Sequence, residues 1–367
     1  MADGIILHLE NEHKFLEEYI ALYNQLDINL EYVGCTNSEG FITQLKEREQ
    51  EVKVIIFDLV GDNASEDELN GNPEFLHYVK QNFASYNLPI FIYSGHLDVI
   101  ENQFDGNGTV FKVSKDVSIQ VIYDKIKLLL ESGFIEVFCP GGVLETEIYH
   151  DLHKAFTKQF IDSSEIEKII NNIKGENENF VESSERIKKV FKRIAIRSLL
   201  SDLLLPEVDG EGKLSEETVN SVEHYIRRIG DIPVWTGDIF KKNDSDDFLF
   251  ILTPRCNVIR SESILVCPFI WKDIIKKKDK ISKMLQGDPN VSGYDRHLPP
   301  SPIFEGGKLS LSKYSMIPKQ TIIEEYQLHI SLSDELTNEI IGKFGAHFFR
   351  TGITPWDPTE VADIING

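Results

Sequence analysis

Val52–Lys53–Val54–Ile55–Ile56–Phe57–Asp58–Leu59 decides how the first third of this chain is read. β-Branched and aromatic residues run almost without a polar break, the pattern of a strand covered on both faces. The run closes on Asp58, and Gly61–Asp62–Asn63 supply turn chemistry just beyond it. In an open parallel sheet, the carboxyl ends of the strands face the crevice where ligands bind. An acid set there after a mostly apolar run is costly unless it coordinates or reacts with something.

Upstream, Ile5–Ile6–Leu7–His8–Leu9 reads as a first strand ending at Glu10–Asn11–Glu12. A helix follows with Phe15, Tyr19, Ile20, Leu22 and Tyr23 on one broad face, then a strand over Leu30–Gly34. Ser38–Glu39 opens the next helix through Phe41, Ile42 and Leu45. Downstream, a polar loop from Gly61 to Asn72 leads into a helix carrying Phe75, Leu76, Val79 and Phe83. Pro89–Tyr93 is the fourth strand, ending at Ser94–Gly95, and Thr109–Val113 the fifth, ending near Lys115. Val117, Val121, Ile122, Ile126, Leu129 and Leu130 mark a last helix. This alternation predicts an α/β unit built on a doubly wound, five-stranded parallel sheet.

Such a sheet lines Glu10 and Asn11, Asp58, Ser94 and Lys115 along one edge. Glu10 and Asp58, with a carbonyl from the loop beyond Asp58, are hard oxygen ligands suited to Mg²⁺, which keeps several of its waters. The metal and the Lys115 ammonium would neutralise an incoming phosphoryl group. Ser94 could hydrogen-bond its oxygens, and Gly95 leaves room for them.

With these residues in place, the stretch 1–132 resembles the receiver domain of two-component response regulators, which has a flavodoxin-like fold. The resemblance implies that Asp58 accepts a phosphoryl group from a partner histidine kinase. It also implies that Ser94 is the switch hydroxyl, that Lys115 is the strand-five lysine, and that Glu10 and Asn11 hold Mg²⁺ together with Asp58. The sequence departs from the family pattern at several points. Asn11 stands where a second acid is usual, Lys112 where an aromatic is usual, and Asp116 where a proline is common. The loop after Asp58 is also long for the family. A degenerate receiver that keeps only the sheet is the alternative.

The whole chain bounds the rest. Its 367 residues carry 38 basic and 60 acidic side chains, a net charge of −22, which disfavours nucleic-acid binding. The densest lysine run, Lys272 to Lys283, is interrupted by aspartates and reads as a solvated helix face. Cys35, Cys139, Cys256 and Cys267 are scattered, so neither a zinc framework nor a disulfide scaffold is expected. The start of the chain lacks the basic region of a signal peptide and no apolar run reaches membrane-spanning length, so a cytoplasmic protein without membrane contact is expected.

Residues 133–230 read as a helical region. Phe134–Cys139 is a short extended piece, followed by helices near Leu144–Phe156 and Ile166–Ile170, a long one from Glu182 to Leu205, and one from Ser215 to about Ile229. His150 and His153 read as surface histidines. Residues 231–367 form a third, β-rich domain. Pro233–Phe240, Asp247–Thr253 and Ser263–Cys267 read as strands of a small β-barrel or α+β fold, closed by a terminal helix from Ser333 to Phe349. Its resemblance to SH3-like barrels, including those of some toxin nucleases, is one of fold alone.

The expected function is a signalling protein whose output runs through protein contacts of the C-terminal domain, as a phosphate buffer or adaptor; a homodimer is compatible with it. A place in a two-component-like phage-defence system is a further implication of the resemblance. The alternatives are a receiver-gated hydrolase or nuclease, with Asp238, Arg255, Cys256 and His297 as candidate groups, and a scaffold with a degenerate receiver.

Overall fold

A computed structural model of the chain describes residues 4–58, 88–95, 97, 108–139, 141–174, 180–206, 208, 210–215, 218–273, 278–285, 295–349 and 359. The chain divides into two compact units, Met1–Leu205 and Pro206–Gly367. The helical region expected at 133–230 therefore falls across both.

In the first unit, strands β1 (Ile5–Leu9), β2 (Glu31–Cys35), β3 (Val52–Phe57), β4 (Ile90–Ser94) and β5 (Val110–Ser114) form one sheet. Every pairing is parallel and the order is β2-β1-β3-β4-β5. That is the flavodoxin-like doubly wound order, with its switch point between β1 and β3. Val54, Ile55, Ile56 and Phe57 are all fully buried, as a strand covered on both faces requires. Each such side chain contributes about 1.5–3 kcal/mol of burial.

Helix α1 (His13–Tyr23) lies close against β2: a Cβ on Gly34 would meet Leu16 at 2.8 Å. Helix α2 (Ser38–Glu47) is capped by Asn37, whose Oδ1 accepts from the Gly40 N–H at 2.8 Å. Helix α3 (Gln120–Glu131) packs Ile122, Tyr123 and Ile126 into the same core. The loop expected after Asp58 and the helix expected around Phe75–Phe83 lie outside the described residues.

Phe134–Phe138 is a short helix, α4, and not the extended piece its β-branched and aromatic composition suggests. Gly133 takes a left-handed turn (φ 74°) after α3. Burying Ile135 and Cys139 against the core then outweighs local propensity. Helices α5 (Tyr149–Thr157), α6 (Ser163–Ile173) and α7 (Phe180–Leu203) follow. Phe191 of α7 holds Phe156 and Phe160 edge-on, with ring centroids 5.9 and 6.3 Å away. No described helix is long and apolar enough to cross a membrane.

The second unit is an antiparallel sheet with helices. Its strands are β6 (Tyr225–Ile226), β7 (Asp238–Lys242), β8 (Phe248–Ile251), β9 (Ser263–Trp271), β10 (Asp295–Leu298), β11 (Gly307–Ser310), β12 (Ser315–Pro318) and β13 (Tyr326–Leu332). They run in the order β10-β11-β9-β8-β7-β13-β6, with β12 added to β9. Among the described residues no pairing joins β6 to β10, so the pairings form an open α+β sheet rather than a closed barrel.

Short helices α8 (Arg255–Val258), α9 (Lys278–Leu285) and α10 (Lys319–Glu325) connect strands, and α11 (Asp334–Phe348) buries Ile340 and Phe344. Ser333 caps α11 as its sequence suggests, accepting from the Leu336 N–H at 3.3 Å. The helix expected from Ser215 to Ile229 is absent from its described part. Asn220 and Glu223 form a capping box around a single 3₁₀ turn, after which Tyr225 enters the sheet opposite Leu332.

Candidate functional site

The carboxyl ends of β1, β3, β4 and β5 bring together most of what the sequence placed there. The backbone fixes each position through strand-like bonds just past the strands. Asp58 N–H donates to Leu9 O (3.0 Å), Glu10 N–H to Cys35 O (3.0 Å) and Lys115 N–H to Ser94 O (3.2 Å). From these anchors the Lys115 ammonium donates to Asp58 Oδ2 at 2.8 Å and to Glu10 Oε2 at 2.9 Å. The two carboxylate side chains are 3% and 1% exposed. One cation therefore bridges two buried acids from different strands.

Burial pulls the Lys115 ammonium down, but the bonds to Asp58 and Glu10 outweigh it and hold the group above the ordinary lysine range. The Phe15 ring lies 5.9 Å from the same nitrogen. Glu10 Oε1 also accepts from the Glu12 N–H at 3.2 Å. Ser94 is fully buried at the end of β4, whereas Asn11 is exposed beside Glu10. Lys112 lies half-buried on β5, opposite Ile92.

Two carboxylate oxygens converging on one cation are a donor pair that a divalent ion also uses. Among the described residues no set of three or more His, Cys, Asp or Glu side chains gathers as a metal centre. The carbonyl expected to follow Asp58 lies outside those residues.

Sequence reasoning missed His8. It is wholly buried two residues before Glu10, with Nδ1 2.5 Å from the Tyr32 hydroxyl and its ring stacked on Tyr19 at 5.7 Å. Burial first, and the Lys115 charge second, push its imidazole down to about 3. The signal in the sequence was a lone polar residue inside an otherwise apolar five-residue strand.

The C-terminal candidates do not converge. Asp238 is a buried structural acceptor: Oδ2 takes hydrogen bonds from Arg228 Nη2 (2.9 Å) and the Trp235 N–H (2.8 Å), and Oδ1 from Ser331 Oγ (2.7 Å). Burial raises its carboxyl above the ordinary range. Arg255 pairs with Asp334, and Cys256 is exposed with Sγ 3.6 Å from Asn257 Oδ1. His297 stands on β10, four strands from Asp238 in the sheet order, or about 19 Å at ordinary strand spacing.

The chain matches no protein-family model and no curated protein. Solved structures similar to it include the signal receiver domain of an HD domain-containing protein from Pseudomonas fluorescens Pf-5, at 16% identity and a TM-score of 0.29, covering 36% of this chain and 98% of that one. The receiver domain of the hybrid histidine kinase CckA matches at 16% identity and a TM-score of 0.25, covering 35% and 99%. The RcsB response regulator of Salmonella typhimurium, a structure concerned with DNA interaction, matches at 15% identity and a TM-score of 0.28, covering 55% and 97%.

Proposed function

We propose that the N-terminal unit is a phosphate-accepting receiver and that Asp58 is its acceptor. The observation that carries this reading is the Lys115 ammonium bridging Asp58 and Glu10 at the mouth of the sheet. A carboxylate oxygen of Asp58 attacks the phosphorus of a phosphohistidine on a partner kinase. The new P–O bond forms as the P–N bond breaks, and the departing imidazole keeps the bonding pair and takes a proton. Lys115 offsets charge on the arriving phosphoryl oxygens, and buried Ser94 supplies a hydroxyl beside them. The donor set fits Mg²⁺: Glu10 and Asp58 would hold it, with Asn11 at the rim, and it would supply further charge neutralisation.

The acidic excess of the chain supports output through protein contacts rather than through DNA. The test uses the full chain with Mg²⁺ and acetyl phosphate as donor. A base-labile, hydroxylamine-sensitive adduct is expected on the wild type and not on Asp58→Asn. Equal absence of label on both would overturn the reading.

A further inference from the structure

Beside the acid pair lies a closed circuit of rings, His8, Tyr93 and Tyr123 buried and Tyr19 and Tyr32 half-buried, that phosphate acceptance alone does not use. Tyr93, the residue before Ser94, is 3% exposed and donates its hydroxyl to Val117 O at 2.8 Å, at the approach to α3. Its ring meets Tyr19 of α1 edge-on at 5.9 Å. Tyr19 stacks on His8, His8 bonds the Tyr32 hydroxyl, and Tyr32 lies 3.3 Å from the Tyr123 hydroxyl. Tyr123 then donates back to the Tyr19 carbonyl at 2.9 Å. The position of α1 is thus tied, through both the ring and the backbone of Tyr19, to β1, β2, β4 and α3.

This circuit faces the site's charges. Lys115, bonded to Asp58 and Glu10, lies 5.9 Å from the Phe15 ring, Phe15 stacks on Tyr19 at 6.3 Å, and Tyr93 directly precedes Ser94. Burial first, and the negative charge of Glu10 and Asp58 after it, raise both phenols. A phenol O–H is a rotating donor that can exchange acceptors when the field around it changes. His8 Nε2, fully buried and without a hydrogen-bond partner, leaves the circuit one unspent acceptor or donor. Meanwhile Lys112, not an aromatic ring, stands three residues before Lys115.

We propose that Tyr93 and Tyr19 form a relay that reports the charge on Asp58 to helix α1, with His8 as the fixed surface against which Tyr19 moves. The proposal deepens the receiver reading and rests on it for the natural trigger, since phosphoryl transfer is what would change that charge. The relay itself needs only the change.

Hydrogen exchange of full-length protein tests it, reading the α1 amides (His13–Tyr23) against the α2 amides (Ser38–Glu47) as an internal control. Asp58→Asn alters the charge without any phosphate. It is expected to change α1 exchange by about fivefold, the lower end of ordinary coupling, while α2 is unaffected. In a Tyr19→Phe, Tyr93→Phe background the same Asp58→Asn substitution should leave α1 exchange within about twofold.

An equal α1 response in both backgrounds, or no α1 response to Asp58→Asn at all, overturns the relay. Should the double variant melt well below wild type, Tyr93→Phe alone carries the comparison, since it removes the hydroxyl that bonds Val117 O and keeps the ring against Tyr19, with α1 unchanged in sequence. Acetyl phosphate labelling of the tyrosine variants should stay near the wild-type level. Failure of wild type to take label would count against the receiver reading and leave the Asp58→Asn comparison to decide the relay.

Discussion

Lys115 Nζ stands 2.8 Å from Asp58 Oδ2 and 2.9 Å from Glu10 Oε2, so removing this one cation leaves two buried carboxylates without it. Breaking a buried pair from one side costs about 3–5 kcal/mol. Lys115→Met should lower the stability of the first unit by that order, measured as a fall in urea midpoint. Added Mg²⁺ should restore part of the loss, because it offers the same two acids another cation. A variant as stable as wild type, or one indifferent to Mg²⁺, would show that the acids do not depend on a shared cation.

His8 makes the same unit acid-sensitive. Its folded value of about 3 lies below the ordinary 6.5 of the unfolded chain, so the unfolded state binds the extra proton between them. The contribution is complete above pH 6.5 and declines as pH falls through that window, by at most about 1.4 kcal/mol per pH unit. Denaturant midpoints taken at pH 7 and pH 5 should show a steep drop in wild type and a shallower one in His8→Phe. Parallel slopes in the two proteins would mean that His8 takes up its proton as readily in the fold as in the unfolded chain.

The four thiols should separate by burial. Cys256 is exposed, whereas Cys35, Cys139 and Cys267 are buried. Burial pushes Cys139 up to about 11 and Cys267 to about 12, and raises Cys35 as well. A thiol reagent at neutral pH should modify one cysteine quickly and three only after denaturant is added, with Cys256→Ser abolishing the fast phase. Two or more fast thiols in the native protein would contradict the packing of the cores.

Asp238 should matter to stability and not to phosphate uptake. Its two oxygens receive three hydrogen bonds, one of them charged. Asp238→Ala takes the carboxylate partner from Arg228 and the acceptor from the Ser331 hydroxyl and should cost the second unit about 3–5 kcal/mol, seen as a lower melting temperature. Acetyl phosphate labelling at Asp58 should be unchanged. Reduced labelling would link the residue to the site in a way its contacts do not suggest.

The sequence made the sheet and its acid site legible for the same reason. A buried parallel strand announces itself by unbroken apolar residues, and the residue that ends it lands at the ligand-facing edge. Glu10, Asp58 and Lys115 could be placed from strand ends alone, without knowing any side-chain contact. Asn11 was legible as a neighbour of Glu10, but its exposure depends on which way the chain turns after β1. The partners of His8 come from α1 and β2, so nothing local to Leu7–His8–Leu9 identifies them.

In the second unit, β13 was legible but unread: Tyr326–Gln327–Leu328–His329–Ile330–Ser331–Leu332 alternates apolar and polar residues at strand period, although only Ile330–Leu332 are buried. Phe134–Phe138 misled in the opposite sense. Its composition favours a strand, and tertiary burial imposed a helix.

Strand β9 alternates its loyalties. Ile264 and Val266 belong to one core cluster, while Cys267 and Phe269 belong to the other. It also pairs with β8, β11 and β12 along its nine residues. Neither cluster can be opened without pulling this strand from the other, so the two cores share one opening free energy. The C-terminal unit should therefore behave as a single foldon, losing amide protection on both faces of β9 at the same denaturant concentration.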